Sequence, residues 1–224
     1  MSAFKPETNV LIALKNILKS KKTTMPKVIN HVNNNRINSS GDLLEYYVKD
    51  AFCGESANLE ITDEKNKKYQ RVFSYLGNTN NPPDFVIKHG PAVEVKKIEG
   101  RGSNGLALNS SFPKDYLYHD DIRIKQECRT CEDEYGGWEK KDMIYVVGNV
   151  KNHHLYNLWF VYGDCYCADK STYERIANTI KSGVSSIEGV EFGETKELGR
   201  VNKVDPLGIT YLRIRGMWGI EHPS

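Results

Sequence analysis

The chain has 224 residues, 39% of them hydrophobic and 27% charged, with a formal net charge of +2. That length can bury a substantial core, and no apolar run approaches the ~20 residues of a membrane span. The N-terminus lacks a signal-peptide core and the net charge is too small to argue for nucleic acid by itself, so a cytoplasmic protein with no membrane partner is expected.

Residues 8–20 place Val10, Leu11, Leu14, Ile17 and Leu18 at helical spacing with lysines opposite. This predicts an amphipathic helix, a packing arm or dimer element within an N-terminal helical arm over 1–32. The polar, Asn-rich stretch 21–38 reads as a loop. Ser39-Ser40-Gly41-Asp42 matches a capping box and opens a helix whose buried stripe is Leu44, Tyr47, Val48, Ala51 and Phe52. Glu45 lies at the edge of that stripe. It either pairs with Lys49 one turn on, worth a few tenths of a kcal/mol, or points past the core toward a site. Residues 59–61 and 71–76 read as strands.

The stretch 81–97 reads as two short strands about a turn. Pro82 and Pro83 hold the entry extended, Phe85-Val86-Ile87 and Ala92-Val93-Glu94-Val95 are strand-forming, and Gly90-Pro91 punctuates between them. Alternation puts Glu94 and Lys96 on one face. A turn centred on His89-Gly90 sets Asp84 opposite residues 94 to 96. Further on, Asn109, Ser110, Ser111 and Lys114 suit phosphate and sugar contacts, and suit a plain turn as well. A mixed helical segment is expected over 119–134, strands over 143–147 and 155–162, and an amphipathic helix over 170–187. Residues 195–221 are loop and strand, carrying Arg200, Asn202, Arg213, Arg215 and Trp218, the last expected in the core.

Five cysteines, an odd count, argue against a disulfide framework. Cys128-x-x-Cys131 and Cys165-x-Cys167 offer four thiolates, but the one-residue spacing and apolar context favour ordinary thiols over structural zinc. Strands on either side of helices, with no glycine-rich phosphate loop, predict an α/β protein with a mixed β-sheet flanked by helices.

Two carboxylates and a lysine at this spacing suit a hard divalent ion, Mg²⁺ or Mn²⁺. Asp84, Glu94 and the Val95 carbonyl would supply its protein oxygens, Lys96 would hold the attacking water, and Glu45 would serve a second metal or its water shell. As a bare pattern P-D-x₉-E-x-K also arises by chance, with Glu94 and Lys96 then a solvated ion pair.

Asn81-Pro82-Pro83-Asp84 with Glu94-Val95-Lys96-Lys97-Ile98-Glu99 resembles the PD-(D/E)xK nucleases. With the segments 41–50, 72–78, 106–111, 194–202 and 205–221, the chain is similar to the NgoPII-type type II restriction endonucleases from about Asn33 to Glu221. The first 30 residues and 128–137 match nothing in that family. The resemblance implies a single nuclease domain with a restriction-endonuclease-like core, its catalytic part at 40–150 and DNA recognition at 195–221. It implies Mg²⁺-dependent hydrolysis of double-stranded DNA at the palindrome GGCC, leaving 5′-phosphates, with Mn²⁺ able to substitute. Asp84 and Glu94 become metal ligands, Lys96 the water-orienting base and Glu45 the helix acid. Arg200, Arg213 and Arg215, with Asn202 beside them, become guanine readers or phosphate contacts. A palindrome implies a homodimer, and a companion cytosine DNA methyltransferase protecting the host, a prokaryote. A repair or junction-resolving nuclease on the same fold, or a non-catalytic DNA-binding module, are the alternatives.

Overall fold

The computed structural model describes residues 5–21, 23–24, 40–54, 63–78, 81–98, 105–108 and 111–223. Helix α1 (Val10–Ser20) opens on Asn9, whose side chain accepts the Ile12 amide at 3.0 Å, a polar N-cap. Its seam differs from the predicted stripe. Ala13 is fully buried with Val10 and Ile17 beside it, whereas Leu11 and Leu18 are each 75% exposed. The cause is the close approach of α2 (Ser40–Cys53). Thr8 Oγ1 donates to the Phe52 carbonyl and Asn16 Nδ2 to that of Ala51, both at 2.8 Å, and helices held so near need a small residue between them.

Helix α2 buries Leu44, Tyr47, Val48, Ala51 and Phe52, the predicted stripe, together with Leu43. Most of the loop expected over 21–38, the side chains of the capping box and the strand expected at 59–61 lie outside the described residues. The strand expected over 71–76 begins only at β1 (Phe73–Asn78), because Arg71 and Val72 end a helix, α3 (Asp63–Val72). Its lysine-rich sequence reads as charged surface, yet Lys65, Tyr69 and Val72 share an inward face at helical spacing. Lys65 Nζ and Tyr69 Oη lie 2.8 and 2.6 Å from the carboxylate of Asp50 on α2.

Strands β2 (Asn81–Ile87) and β3 (Ala92–Ile98) form the predicted hairpin, pairing Phe85 with Val93 and Val86 with Ala92. Short strands β4 (Leu106–Ala107) and β5 (Tyr116–Tyr118) follow. The helix expected over 119–134 is reduced to α4 (Gln126–Arg129) and one 3₁₀ turn at Asp133–Tyr135. Asp121 accounts for this. Its carboxylate accepts the Arg123 amide at 2.8 Å and the Lys114 ammonium at 2.5 Å, local bonds that compete with a helix.

Strands β6 (Lys140–Lys151) and β7 (His154–Tyr162) exceed their predicted lengths. After α5 (Gly163–Tyr166) comes α6 (Lys170–Ser185), capped by Asp169 on the Thr172 amide at 2.8 Å. A small sheet of β8 (Glu191–Phe192), β9 (Gly199–Asn202) and β10 (Leu212–Ile214) precedes β11 (Gly219–Ile220), which pairs with β4. Among the described residues no helix is long and apolar enough to cross a membrane.

The central sheet runs β1-β2-β3-β6-β5, with β7 also on β6; β3 and β6 are parallel and the other pairs antiparallel. It is the predicted mixed sheet flanked by helices. Alternation divides its apolar residues between two cores. Phe85, Ile87, Val93, Ile144 and Val146 face α1, α2 and α3. Val86, Ala92, Met143, Tyr145 and Val147 face the other way, onto Leu106, Leu117, Cys128 and Trp218. Asp84, Glu94 and Lys96 carry the parity of that second face.

Candidate active site

Continuing the β2–β3 register by one residue brings Asp84 across from Glu94. There the strands part, and the Val95 amide donates to Asp84 Oδ2 at 2.6 Å. Lys96 Nζ lies 2.6 Å from Glu94 Oε1. The hairpin therefore gathers Asp84, Glu94, Lys96 and the Val95 backbone at one point. Gly77 on β1 makes this possible, a role the sequence does not announce. A Cβ there would lie 2.2 Å from the Pro83 carbonyl oxygen and 2.9 Å from that of Asp84.

Charge at this point is unbalanced. Burial, then Glu94, then Glu45 raise the Asp84 carboxyl well above the usual carboxylate range, against the opposing pull of Lys96 and the Val95 amide. Burial pulls the Lys96 ammonium down, but Glu94, Asp84 and Glu45 outweigh it and leave its pKa raised. Glu45 thus acts here through its field, while its own carboxylate is held by Lys49 at 2.5 Å. Of the two sequence readings of Glu45, the i,i+4 pair with Lys49 is the one its geometry displays.

Glu94 Oε2 is buried and has no hydrogen-bond partner among the described residues. An orphaned carboxylate oxygen beside a second acid is costly unless something positive occupies the space. The donor set, two carboxylates and a carbonyl, fits a hard ion that keeps part of its water. Among the described residues no three His, Cys, Asp or Glu side chains form a closed metal cage. Cys128 sits in the second core with Cys131 and Cys167 packed against it, and burial pushes the Cys128 and Cys167 thiols up to about 12.

The stretch 128–137 reveals a residue that the sequence does not single out. The Glu132 carboxylate accepts Ser74 Oγ at 2.9 Å, the His89 amide at 2.9 Å and Lys141 Nζ at 2.7 Å. His89 stands at φ 57° in the β2–β3 turn, and Lys141 also reaches the Gly90 carbonyl at 3.2 Å. One buried ion pair thus clamps the turn of the hairpin to β1 and β6. Only the acid-rich composition of the stretch hints at this.

Of the residues expected to meet DNA, Asn109 and Ser110 lie outside the described residues. Ser111 donates its amide to the Leu108 carbonyl at 3.2 Å, a turn contact. Lys114 is turned inward, buried on Asp121 and over the Phe112 ring, which leaves its ammonium no face for a phosphate. The arginines do come together. In the β9–β10 pairing Arg213 lies opposite Arg200, so Arg200, Asn202, Tyr211, Arg213 and Arg215 share one face. The other face carries buried Val201 and packs toward Val184 on α6. Arg200 donates to Asn202 Oδ1 at 2.9 Å and stacks 4.8 Å over the Tyr211 ring. Arg213 and Arg215 both bind Glu197. Trp218 packs on the second core, as expected.

A family model described as NgoPII restriction endonuclease matches residues 8–224, and so takes in residues 8–30 and 128–137, which the sequence alone leaves outside the family. The chain is 54% identical over 191 residues to the type II restriction enzyme NgoPII of Neisseria gonorrhoeae. That match covers 85% of this chain and 66% of the relative, just under two thirds of the relative's length. No solved structure matches.

Proposed function

The chain belongs to the NgoPII restriction endonuclease family, and on that premise we propose that it is a type II site-specific deoxyribonuclease. It hydrolyses double-stranded DNA at a short palindrome, GGCC, leaving 5′-phosphates, on a PD-(D/E)xK core. The observation that carries this reading is the buried, unpartnered Oε2 of Glu94 beside Asp84, at the end of a hairpin that also brings in Lys96.

Asp84, Glu94 and the Val95 carbonyl are the donors for one divalent ion, Mg²⁺ with Mn²⁺ able to substitute, and Glu45 serves its water shell or a second ion. When bound, the ion acidifies water and offsets charge on the phosphodiester. Lys96 Nζ, kept as an ammonium by its acidic neighbours, orients the attacking water and faces the charge that grows on the phosphate. In that form it serves as a hydrogen-bond donor. Glu94 fixes the lysine at 2.6 Å, and the strand carries both on one face, so they approach the phosphate as a unit. The hairpin face of Arg200, Asn202, Arg213 and Arg215 reads the site or grips its phosphates. A palindrome read by one chain type calls for a two-fold homodimer, each subunit cutting one strand. A cytosine DNA methyltransferase of the same specificity would protect the host, in whose cytoplasm both work.

Digestion of a plasmid of known sequence tests this. Discrete fragments ending at GGCC should form only with a divalent ion. Asp84→Asn and Lys96→Ala should each lower cleavage by about 10²-fold or more while DNA binding persists. Full cleavage by either variant, or nicking that follows DNA structure instead of sequence, would defeat the reading.

A further inference from the structure

Two of the arginines on the β9–β10 face share one acid. Glu197 Oε2 accepts from Arg213 Nε at 3.0 Å, and its Oε1 accepts from Arg213 Nη2 at 2.7 Å and Arg215 Nε at 2.6 Å. The side chain of Glu197 is only 11% exposed, against 44% for Arg213 and 62% for Arg215. The carboxylate therefore lies beneath and the guanidinium groups above it. Its contacts fall on the Nε side of both guanidinium groups, one bidentate and one single. Glu197 takes Nη1 from neither guanidinium and only one hydrogen of Arg213 Nη2, so both exposed side chains keep terminal N–H donors for a partner.

We propose that Glu197 is a specificity-determining positioning residue, which turns Arg213 and Arg215 so that each offers its terminal fork to a guanine O6 and N7. This rests on the reading of the hairpin as the DNA-recognition face. The fork matches the guanine major-groove edge, and an arginine already held by a carboxylate loses less rotamer freedom when it binds. The two arginines drive Glu197 down to about pKa 2, so the buttress stays charged at any working pH. An acid on a surface meant for phosphates would otherwise weaken binding to every sequence.

The test measures affinity, with Ca²⁺ present, for a duplex bearing GGCC and for the same duplex with one guanine–cytosine pair inverted. Wild type, Glu197→Gln, Glu197→Asp, Glu197→Ala and Arg213→Ala are compared as full chains. All three Glu197 variants should lower the ratio of the two affinities, by about tenfold for Glu197→Ala, while affinity for the inverted duplex does not fall. Glu197→Asp keeps the charge but is too short to span both arginines, so its loss separates geometry from charge. An unchanged ratio in Glu197→Ala, with Arg213→Ala lowering it, overturns the inference and makes Glu197 a charge balance only. An unchanged ratio in Arg213→Ala shows instead that the recognition reading has failed, and the inference falls with it.

Discussion

At the β2–β3 hairpin, Lys96 pairs with Glu94 while Asp84 presses in beside them, and Lys49 is taken by Glu45. Two acids share one ammonium in a half-dry setting, an arrangement that favours ion binding over stability. Asp84→Asn keeps an oxygen to accept the Val95 amide and removes one of the crowded charges. In divalent-free buffer it should therefore stabilise the protein, by about 1 kcal/mol. Mg²⁺ should raise the unfolding temperature of wild type and raise that of Asp84→Asn much less. Thermal unfolding with and without Mg²⁺ measures both, and an Asn variant less stable than wild type without Mg²⁺ would contradict the charge argument. Asp84, Glu94 and Lys96 were legible in the sequence because a short hairpin brings them together through contacts only a few residues apart. Gly77 was not, because its need depends on how a separate strand, β1, runs past the Pro83 and Asp84 carbonyls.

Among the elements, those with strong local periodicity were read correctly in kind: α1, α2, β2, β3, β6, β7 and α6 all form where the pattern puts them. The errors share a cause. Helix α3 and the turns around Asp121 are organised by buried ion pairs, and a buried lysine looks in sequence like any exposed one. The stretch ending in the Asp133–Tyr135 turn is the clearest case, since its acid Glu132 clamps the hairpin turn through Ser74, His89 and Lys141. Burial works to raise the Glu132 carboxyl, but its bonds to Lys141, the His89 amide and Ser74 outweigh that and leave it below its ordinary 4.5. A lowered folded-state pKa contributes stability that is present above the unfolded value and lost as pH falls through the folded one. Glu132→Gln leaves Lys141 buried without its charge partner, so it should cost about 3 kcal/mol near neutral pH. The gap from wild type should close as pH drops below 4.5. Urea unfolding of both proteins across that range measures it, and a gap that does not narrow would remove the ion pair as the cause.

Over the whole molecule, the β2–β3 hairpin proposed to cut and the β9–β10 hairpin proposed to read are far apart in sequence, yet the fold ties them together. After β3 the chain forms β4, and after β10 it returns as β11 to pair with β4, matching Ala107 with Gly219 and Leu106 with Ile220. The Leu108 amide adds a bond to the Trp218 carbonyl at 2.9 Å. Trp218 itself packs edge-on to Tyr173 of α6, at 5.3 Å between ring centres, and lies against the second core under β3 and β6. No local pattern predicts a two-residue strand pairing with another so distant, which is why the sequence showed two candidate segments and not their connection. The connection gives the proposed division of labour a mechanical consequence. A reading face that shifts relative to Asp84 and Glu94 misplaces the phosphate, and small misplacements cost rate steeply. Trp218→Ala opens a gap in a partly buried contact, for about 2–3 kcal/mol of stability, while leaving every proposed DNA contact and every proposed catalytic group in place. Its cleavage rate on bound GGCC duplex should fall by about tenfold or more, well beyond any loss in affinity. Trp218→Phe, which keeps a ring against Tyr173, should recover most of that rate. Single-turnover cleavage and equilibrium binding, measured on the same duplex below the unfolding temperature of each variant, separate the two effects. Equal losses in rate and affinity would mean that Trp218 supports the β9–β10 hairpin alone and that the β4–β11 pairing transmits nothing to β3.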